Sequence, residues 1–154
     1  MRHLIACMKE LQPKIERFRK EGLKETPTRT LFIDLRLKSL GWDVCDPDEV
    51  QLEYPTIDGK SVDYALKING KPILLVKAKG LNDSLGDVKD ITQTTGYAAN
   101  DGIVWCILTN GVHWRVYRSI EQCPAPEKGM VKPSQVRQFL ELVEAHNLEL
   151  GGGV

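Results

Sequence analysis

Apolar residues recur every three or four positions in the first segment of the chain, at Leu4, Met8, Leu11, Ile15 and Phe18. This spacing predicts a helix with one apolar face. Pro13 lies inside the segment and should kink or restart the helix, because proline removes a backbone hydrogen bond. The apolar face is shorter than a coiled coil requires, so packing on the chain's own core is favoured over a dimerising helix.

A second helix is predicted at residues 27–40. Thr26 is a suitable N-cap residue, and Pro27 fits the first helical position. Gly41 should end the helix. Its apolar side consists of Phe32, Ile33, Leu35 and Leu40.

Three strands are predicted next, at residues 50–55, 61–68 and 71–79. Asp58-Gly59 and Asn69-Gly70 separate them and are strong hairpin signals, so the strands should form an antiparallel meander. The run Ile-Leu-Leu-Val within the third strand is apolar at every position, as expected of a central strand covered on both faces.

The remaining pattern predicts a helix at residues 83–99, a hairpin around Asn110-Gly111 and a last helix opening at Pro133. The predicted order is α-βββ-α-ββ-α. This order indicates an α/β or α+β fold with one mixed central sheet flanked by helices. Residues 1–150 are expected to form a single domain, and residues 151–154 a flexible tail.

Composition narrows the possible functions only slightly. Lysine plus arginine and aspartate plus glutamate number 21 each, so any DNA binding must come from local clustering of charge. No apolar run approaches the roughly 20 residues of a membrane span, and charges interrupt the N-terminal segment. We therefore expect a cytoplasmic protein without a membrane partner. Four widely spaced cysteines lack zinc-site spacing and are expected to be reduced thiols.

The loop at Asn69-Gly70 decides which side chains share a face of the sheet. A two-residue turn would pair Val62 with Lys77 and send Asp63 to the other face, because side chains alternate along a strand. A three-residue loop of residues 68–70 would instead put Asp63, Lys77 and Lys79 on one face.

The same three-residue loop type at residues 57–59 would set Glu53 opposite Asp63. Carboxylates beside a lysine are what metal-assisted phosphodiester cleavage needs, since magnesium prefers oxygen ligands and lysine can steady the phosphate charge. The alternative is an ordinary solvated hairpin face.

Several short motifs, in order between residues 25 and 118, carry a resemblance to a known family. They are Glu25-Thr-Pro-Thr-Arg29, Leu40-Gly-Trp-Asp43, Glu53-Tyr-Pro55, Val62-Asp-Tyr-Ala-Leu66, Asn69-Gly-Lys-Pro72, Gln93 with Tyr97, and Leu108-Thr-Asn-Gly111 with Trp114 and Tyr117. The chain resembles the N-terminal nuclease domain of the restriction subunit of type I restriction enzymes, in the PD-(D/E)xK superfamily.

The resemblance implies a restriction-endonuclease-like core and a magnesium-dependent DNA endonuclease, with Mg²⁺ or Mn²⁺ as cofactor. By resemblance, Asp63 would bind the metal and Lys79 would be the catalytic lysine. Glu25 would help to place the metal. Independently of the resemblance, Glu53 on the neighbouring strand could replace the carboxylate that is missing at Lys77. Gln93 and Tyr97 match a QxxxY element whose residues share a helical face, away from the apolar stripe.

Lys77 departs from the family pattern. The (D/E)xK motif has a carboxylate at this position, whereas the chain reads Lys77-Ala-Lys79. An ammonium in place of a carboxylate changes the local charge by two units, so metal binding should be weak or absent. Arg29, Lys77 and Lys89, together with Lys79, are expected to converge on DNA.

Three functions remain open at this point. The first is a restriction-type endonuclease, impaired by Lys77. The second is a non-catalytic relative that binds DNA. The third is a module that docks onto a separate motor or modification subunit. The sequence leaves the oligomeric state open.

Overall fold

The computed structural model describes residues 2–124 as an α+β fold with a five-stranded mixed sheet. The predicted helix from Pro133 and the tail at residues 151–154 lie outside the described residues. The helical elements are α1 (Arg2–Glu21), α2 (Glu25–Thr28), a π-helical turn (Arg29–Ile33), α3 (Asp34–Ser39) and α4 (Val88–Asn100). The strands are β1 (Val50–Pro55), β2 (Ser61–Ile68), β3 (Lys71–Ala78), β4 (Trp105–Thr109) and β5 (Trp114–Arg118).

The strands lie in the order β1-β2-β3-β4-β5. The first three are antiparallel neighbours, which confirms the predicted meander. β4 runs parallel to β3, because α4 carries the chain back to the end of the sheet at which β3 begins. β5 is antiparallel to β4.

Helices cover both faces of the sheet. On one face Leu74 and Val76 of β3 join a core that includes Leu37 of α3, and on the other Leu75 packs with Ile91 of α4. The prediction that β3 is a central strand covered on both sides is therefore confirmed. No helix within residues 2–124 combines the length and apolar character that crossing a membrane would need.

Pro13 was expected to kink or restart the first helix, and a restart is ruled out because the single helix α1 runs through that residue. Leu11 before the proline is fully buried, and Ile15 after it packs on the same small cluster. Burial on both sides of Pro13 holds the two turns in one helix, although the proline removes a hydrogen bond. Met8, predicted to lie on the apolar face, is about half exposed.

Two predicted helix starts were wrong. The second helix begins at Glu25, so Thr26 and Pro27 lie inside its first turn and Lys24 stands at the cap without a side-chain hydrogen bond. Proline is tolerated there because first-turn amides have no helical partner. α4 begins at Val88 instead of residue 83. Asp87 caps it, and the Asp87 carboxylate accepts a hydrogen bond from the Lys89 amide at 2.8 Å.

Candidate functional site: an ion-pair cluster around Asp63

The hairpin between β2 and β3 brings Asp63 and Lys77 together by an unexpected route. Asn69 and Gly70 both have positive φ, 50° and 72°, and form a two-residue turn closed by Ile68 and Lys71. The predicted three-residue loop was wrong, and this turn alone would send Asp63 to the other face.

A bulge in β3 reverses that effect. Lys67 pairs with Pro72 while Leu66 pairs with Leu74, so Ile73 is one extra residue on β3. The extra residue shifts the register by one and therefore exchanges the two faces of the strand beyond it. Continuing the register from Tyr64 and Val76 sets Asp63 opposite Lys77.

The first hairpin follows the prediction. Thr56 donates its amide to the Lys60 carbonyl at 2.9 Å across a three-residue loop in which Gly59 has φ of 76°. Glu53 then falls across from Asp63 in the β1–β2 register. Its own φ is 49°, unusual for a residue with a side chain, at the point where its carboxylate meets Arg29 and Ser61.

Asp63 is the centre of the cluster, with only 2% of its surface exposed. One carboxylate oxygen accepts the Ala78 amide at 2.8 Å and lies 3.1 Å from the Lys77 ammonium. The other oxygen accepts a hydrogen bond from Arg29 at 3.1 Å. A buried carboxylate needs such partners, and here both oxygens have a cationic one.

Arg29, at the start of the π-helical turn, reaches several groups at once. Its guanidinium donates to the Glu53 carboxylate at 2.5 Å and stacks 4.8 Å from the centre of the Tyr64 ring. The Tyr64 hydroxyl accepts from Arg29 at 3.3 Å and donates to Asp34 at 2.6 Å.

These contacts shift the ionisation of both side chains. Burial alone would lower the pKa of Arg29, but the bonds to Glu53 and Tyr64 and the charge of Asp63 raise it above its usual value. The pKa of Tyr64 is raised by burial and by the bond to Asp34. Arg29 therefore stays charged, and Tyr64 stays a neutral donor.

Lys77 lies between two carboxylates. Its ammonium is 3.1 Å from Asp63 and 3.9 Å from Glu25. The pKa of Glu25 is raised, because the effect of burial and of the neighbouring Asp63 exceeds the lowering by Lys77, Lys79 and Arg29. The ammonium thus bridges the two carboxylates to which the resemblance gives a metal.

The other predicted site residues lie on α4 or contact it. Lys79 forms an ion pair with Asp90 at 2.7 Å instead of with Asp63. Gln93 donates to the Tyr97 hydroxyl at 2.6 Å, so this helical pair does meet. Tyr97 is only 6% exposed and belongs to the core on that side of the sheet, which corrects the expectation that it lies off the apolar face. Lys89 is exposed, and within residues 2–124 its side chain has no ion pair.

Comparison with protein-family models, curated proteins and solved structures found no match. The function must therefore be argued from the geometry of the cluster.

The donor set does not fit a divalent cation as it stands. Within the described part of the chain, no three histidine, cysteine, aspartate or glutamate side chains are grouped so that they could hold a metal ion. Glu25, Glu53 and Asp63, the three predicted ligands, each face a lysine or arginine instead. Magnesium prefers carboxylate oxygens without a competing cation, and the positive charge of these partners opposes a divalent ion at the same oxygens.

Three residues of the cluster had no predicted role. Asp90 lies three residues before Gln93, so helical spacing could have placed it on the same face. Tyr64 was part of a recognised motif but was given no function. Asp34 carried no sequence signal, because only the tertiary fold brings it to Tyr64.

Proposed function

We propose that this chain is a restriction-endonuclease-like domain whose cleavage centre has become an internal ion-pair cluster, and that it binds DNA without hydrolysing it. The carrying observation is the position of the Lys77 ammonium, 3.1 Å from Asp63 and 3.9 Å from Glu25. The motif resemblance and the strand order support descent from a nuclease.

The charge of Lys77 opposes any metal at this position. A divalent ion about 4 Å from an ammonium is repelled by about 8 kcal/mol at an effective dielectric near 20. One magnesium-carboxylate contact to Asp63 would also have to displace Arg29 or Lys77 from a nearly buried oxygen. Each of these carboxylates already has a cationic partner, so a metal gains little by entering.

Lys79, the catalytic lysine that the resemblance implies, is also engaged in an ion pair. Lys79 is held by Asp90 at 2.7 Å, and both side chains are about one-fifth exposed. A lysine paired with a carboxylate has less charge to offer a phosphate or an attacking water. Two elements of a cleavage centre are thus engaged within the protein.

DNA binding should be weak, because the cluster contains one more carboxylate than cations and so offers no excess positive charge. Its cations are Arg29, Lys77 and Lys79, and its carboxylates are Glu25, Glu53, Asp63 and Asp90. Lys89, on the first turn of α4 and one residue before Asp90, is exposed and has no ion pair within residues 2–124. We expect binding without sequence preference that weakens as salt is added, since phosphate contacts release counterions.

A metal titration combined with a DNA-nicking assay tests the proposal. The native chain should bind Mg²⁺ or Mn²⁺ poorly and should not nick supercoiled DNA. Lys77→Glu should gain metal binding and metal-dependent nicking, and adding Asp63→Asn should abolish both.

Two outcomes would contradict this reasoning. Efficient cleavage by the native chain would show that Lys77 is tolerated, and Glu53→Gln would then test a relocated ligand. A folded Lys77→Glu variant without metal binding would show that the loss extends beyond this residue.

Fluorescence anisotropy with a short duplex at low salt tests the binding half of the proposal. Lys89→Gln should weaken the complex. Lys9→Gln is the control, because it removes the same charge from an exposed position of α1, and it should leave binding unchanged. Absence of any complex at low salt would reject DNA binding.

A docking module is the second candidate, favoured by exposed apolar side chains. Ile5 and Met8 of α1 are 48% and 49% exposed, and Leu35 of α3 is 43% exposed. The Cys7 thiol lies 3.8 Å from the Leu35 carbonyl, which brings the two helices together at this surface. If the folded protein does not bind DNA, docking of another subunit onto this apolar surface becomes the favoured function.

A further inference from the structure

An open pocket separate from the ion-pair cluster lies where the chain leaves the parallel strands β3 and β4. Its volume is about 420 Å³. The loop after β3 forms one wall, with residues 81–85, and Asn110 and His113 after β4 form another. Arg19 of α1 and Arg115 of β5 complete the lining. Ligands of sheets with helical crossovers commonly bind beyond the carboxyl ends of parallel strands.

We infer that this pocket binds a phosphate monoester through Arg19 and Arg115. The inference does not depend on the proposed nuclease descent, because none of the lining residues belongs to the Asp63 cluster.

The charged groups of the lining favour an anion. Arg115 donates to the Leu85 carbonyl at 3.1 Å and also hydrogen-bonds the Tyr117 side chain, and these two bonds orient its guanidinium. A guanidinium has five N–H donors, so some remain for a ligand. Among the described residues, Arg19 has one distant ion pair, 3.7 Å from Glu16 on its own helix. Asp83 is the carboxylate of the lining, and one of its oxygens accepts the Gly80 amide at 2.9 Å. The lining therefore contains two arginines and one carboxylate.

Hydrogen bonds between the walls shape the pocket before any ligand arrives. Asn82 donates its side-chain amide to the Arg19 carbonyl at 2.8 Å, which joins the β3 loop to the end of α1. Asn110 donates to the Asp83 carbonyl at 3.0 Å, which joins the two loops. The Asn110 side-chain oxygen also accepts the His113 amide at 2.8 Å. Such preorganisation reduces the entropy lost on binding.

The lining selects for the phosphate instead of for an attached ring. Its apolar members, Leu81 and Leu85, are almost fully buried, and the lining contains no phenylalanine, tyrosine or tryptophan on which a base could stack. Guanidinium groups match the geometry of phosphate oxygens and can bind two at once. The volume is near the lower end of small-molecule sites, roughly 300–1,000 Å³, and suits a phosphate with a small substituent.

Two-dimensional NMR titration with inorganic phosphate at constant ionic strength tests the inference. Amide signals of residues 81–85 and 110–115 should shift saturably. Arg19→Gln and Arg115→Gln should each weaken binding about tenfold, as expected for loss of one charge-assisted hydrogen bond. Arg17→Gln is the matched control, since it removes the same charge from α1 outside the pocket and should leave binding unchanged.

A gain-of-affinity variant guards against misfolding as an explanation. Asp83→Asn should strengthen phosphate binding severalfold, because it removes the opposing charge and keeps an oxygen for the Gly80 amide. The inference would be overturned if inorganic phosphate caused no saturable shifts in residues 81–85 and 110–115. Equal weakening of binding by Arg17→Gln and Arg115→Gln would overturn it as well.

Single-stranded oligonucleotides with and without a 5′-phosphate identify the source of the monoester. If the phosphorylated strand competes with inorganic phosphate, binds more tightly than it, and loses this advantage in Arg115→Gln, the pocket holds a strand end. If inorganic phosphate binds and the strand does not compete, the ligand is a small phosphorylated molecule. Either result supports a phosphate pocket.

Discussion

Asp63→Asn is the most informative single substitution for the ion-pair cluster. It keeps the size of the side chain and an oxygen acceptor for the Ala78 amide, which lies 2.8 Å away. It removes one negative charge from between Arg29 and Lys77, each 3.1 Å from the carboxylate. The substitution therefore tests the electrostatic contribution of Asp63 with little change in packing.

The expected effect is large because Asp63 is nearly inaccessible to solvent. At 3.1 Å, two unit charges attract by about 5 kcal/mol at an effective dielectric near 20. Desolvation offsets much of this attraction, and removing one partner of a buried ion pair typically costs about 3–5 kcal/mol. In a domain of this size such a loss should lower the melting temperature by roughly 10 °C.

Urea unfolding at neutral pH, followed by circular dichroism, provides the measurement. Asp90→Asn is the matched control, because its ion pair with Lys79 is about one-fifth exposed and should contribute only about 1 kcal/mol. Combining Asp63→Asn with Lys77→Gln should cost less than the sum of the single changes, since the two charges are coupled.

The sign of the effect distinguishes an ion-pair cluster from a metal site. Carboxylates gathered for a metal repel one another in its absence, so neutralising one of them should stabilise the metal-free protein. A stability of Asp63→Asn equal to or above that of the native chain would refute the ion-pair interpretation.

Two further predictions concern pH and backbone conformation. The bond from Arg29 lowers the pKa of Glu53 below its ordinary 4.5, so its stabilisation is present above that pH and is lost as the pH falls below it. Glu53→Gln should reduce the loss of unfolding free energy at acid pH by less than about 1 kcal/mol, since the side chain is more than half exposed. An unchanged dependence of stability on pH would contradict this. Gly111→Ala should destabilise more than Gly59→Ala in urea unfolding, because both have positive φ but only at Gly111 would a new methyl lie 2.9 Å from Phe32. We expect about 1 kcal/mol at Gly59 and about 2–4 kcal/mol at Gly111, and equal costs would argue against the contact.

The sequence pattern was most successful where local chemistry dictates the structure. Gly59 and Gly70 adopt the positive φ that their turns require, and the three strands around them form the predicted meander. The prediction of where helices begin was less accurate. Thr26 matched the residue preference of a cap, but the helix already begins at Glu25, after Lys24, which makes no side-chain cap bond.

The site shows a different limit. Asp63 and Lys77 do meet, yet the predicted loop was wrong, and a bulge at Ile73 restored the side-chain face. A bulge is a long-range compromise between strand pairing and the packing of both faces, so a two-residue periodicity cannot locate it.

The sequence by itself determined the order of the elements from residue 2 to residue 118 and the presence of an aspartate and a lysine on neighbouring strands, because turn residues and side-chain periodicity act over a few neighbouring positions. Only the tertiary structure decided how those charges pair. It directed Lys79 to Asp90, and it brought Arg29 across 34 positions of sequence to Asp63. Ion pairing depends on distance and burial in space, and both are properties of the folded chain.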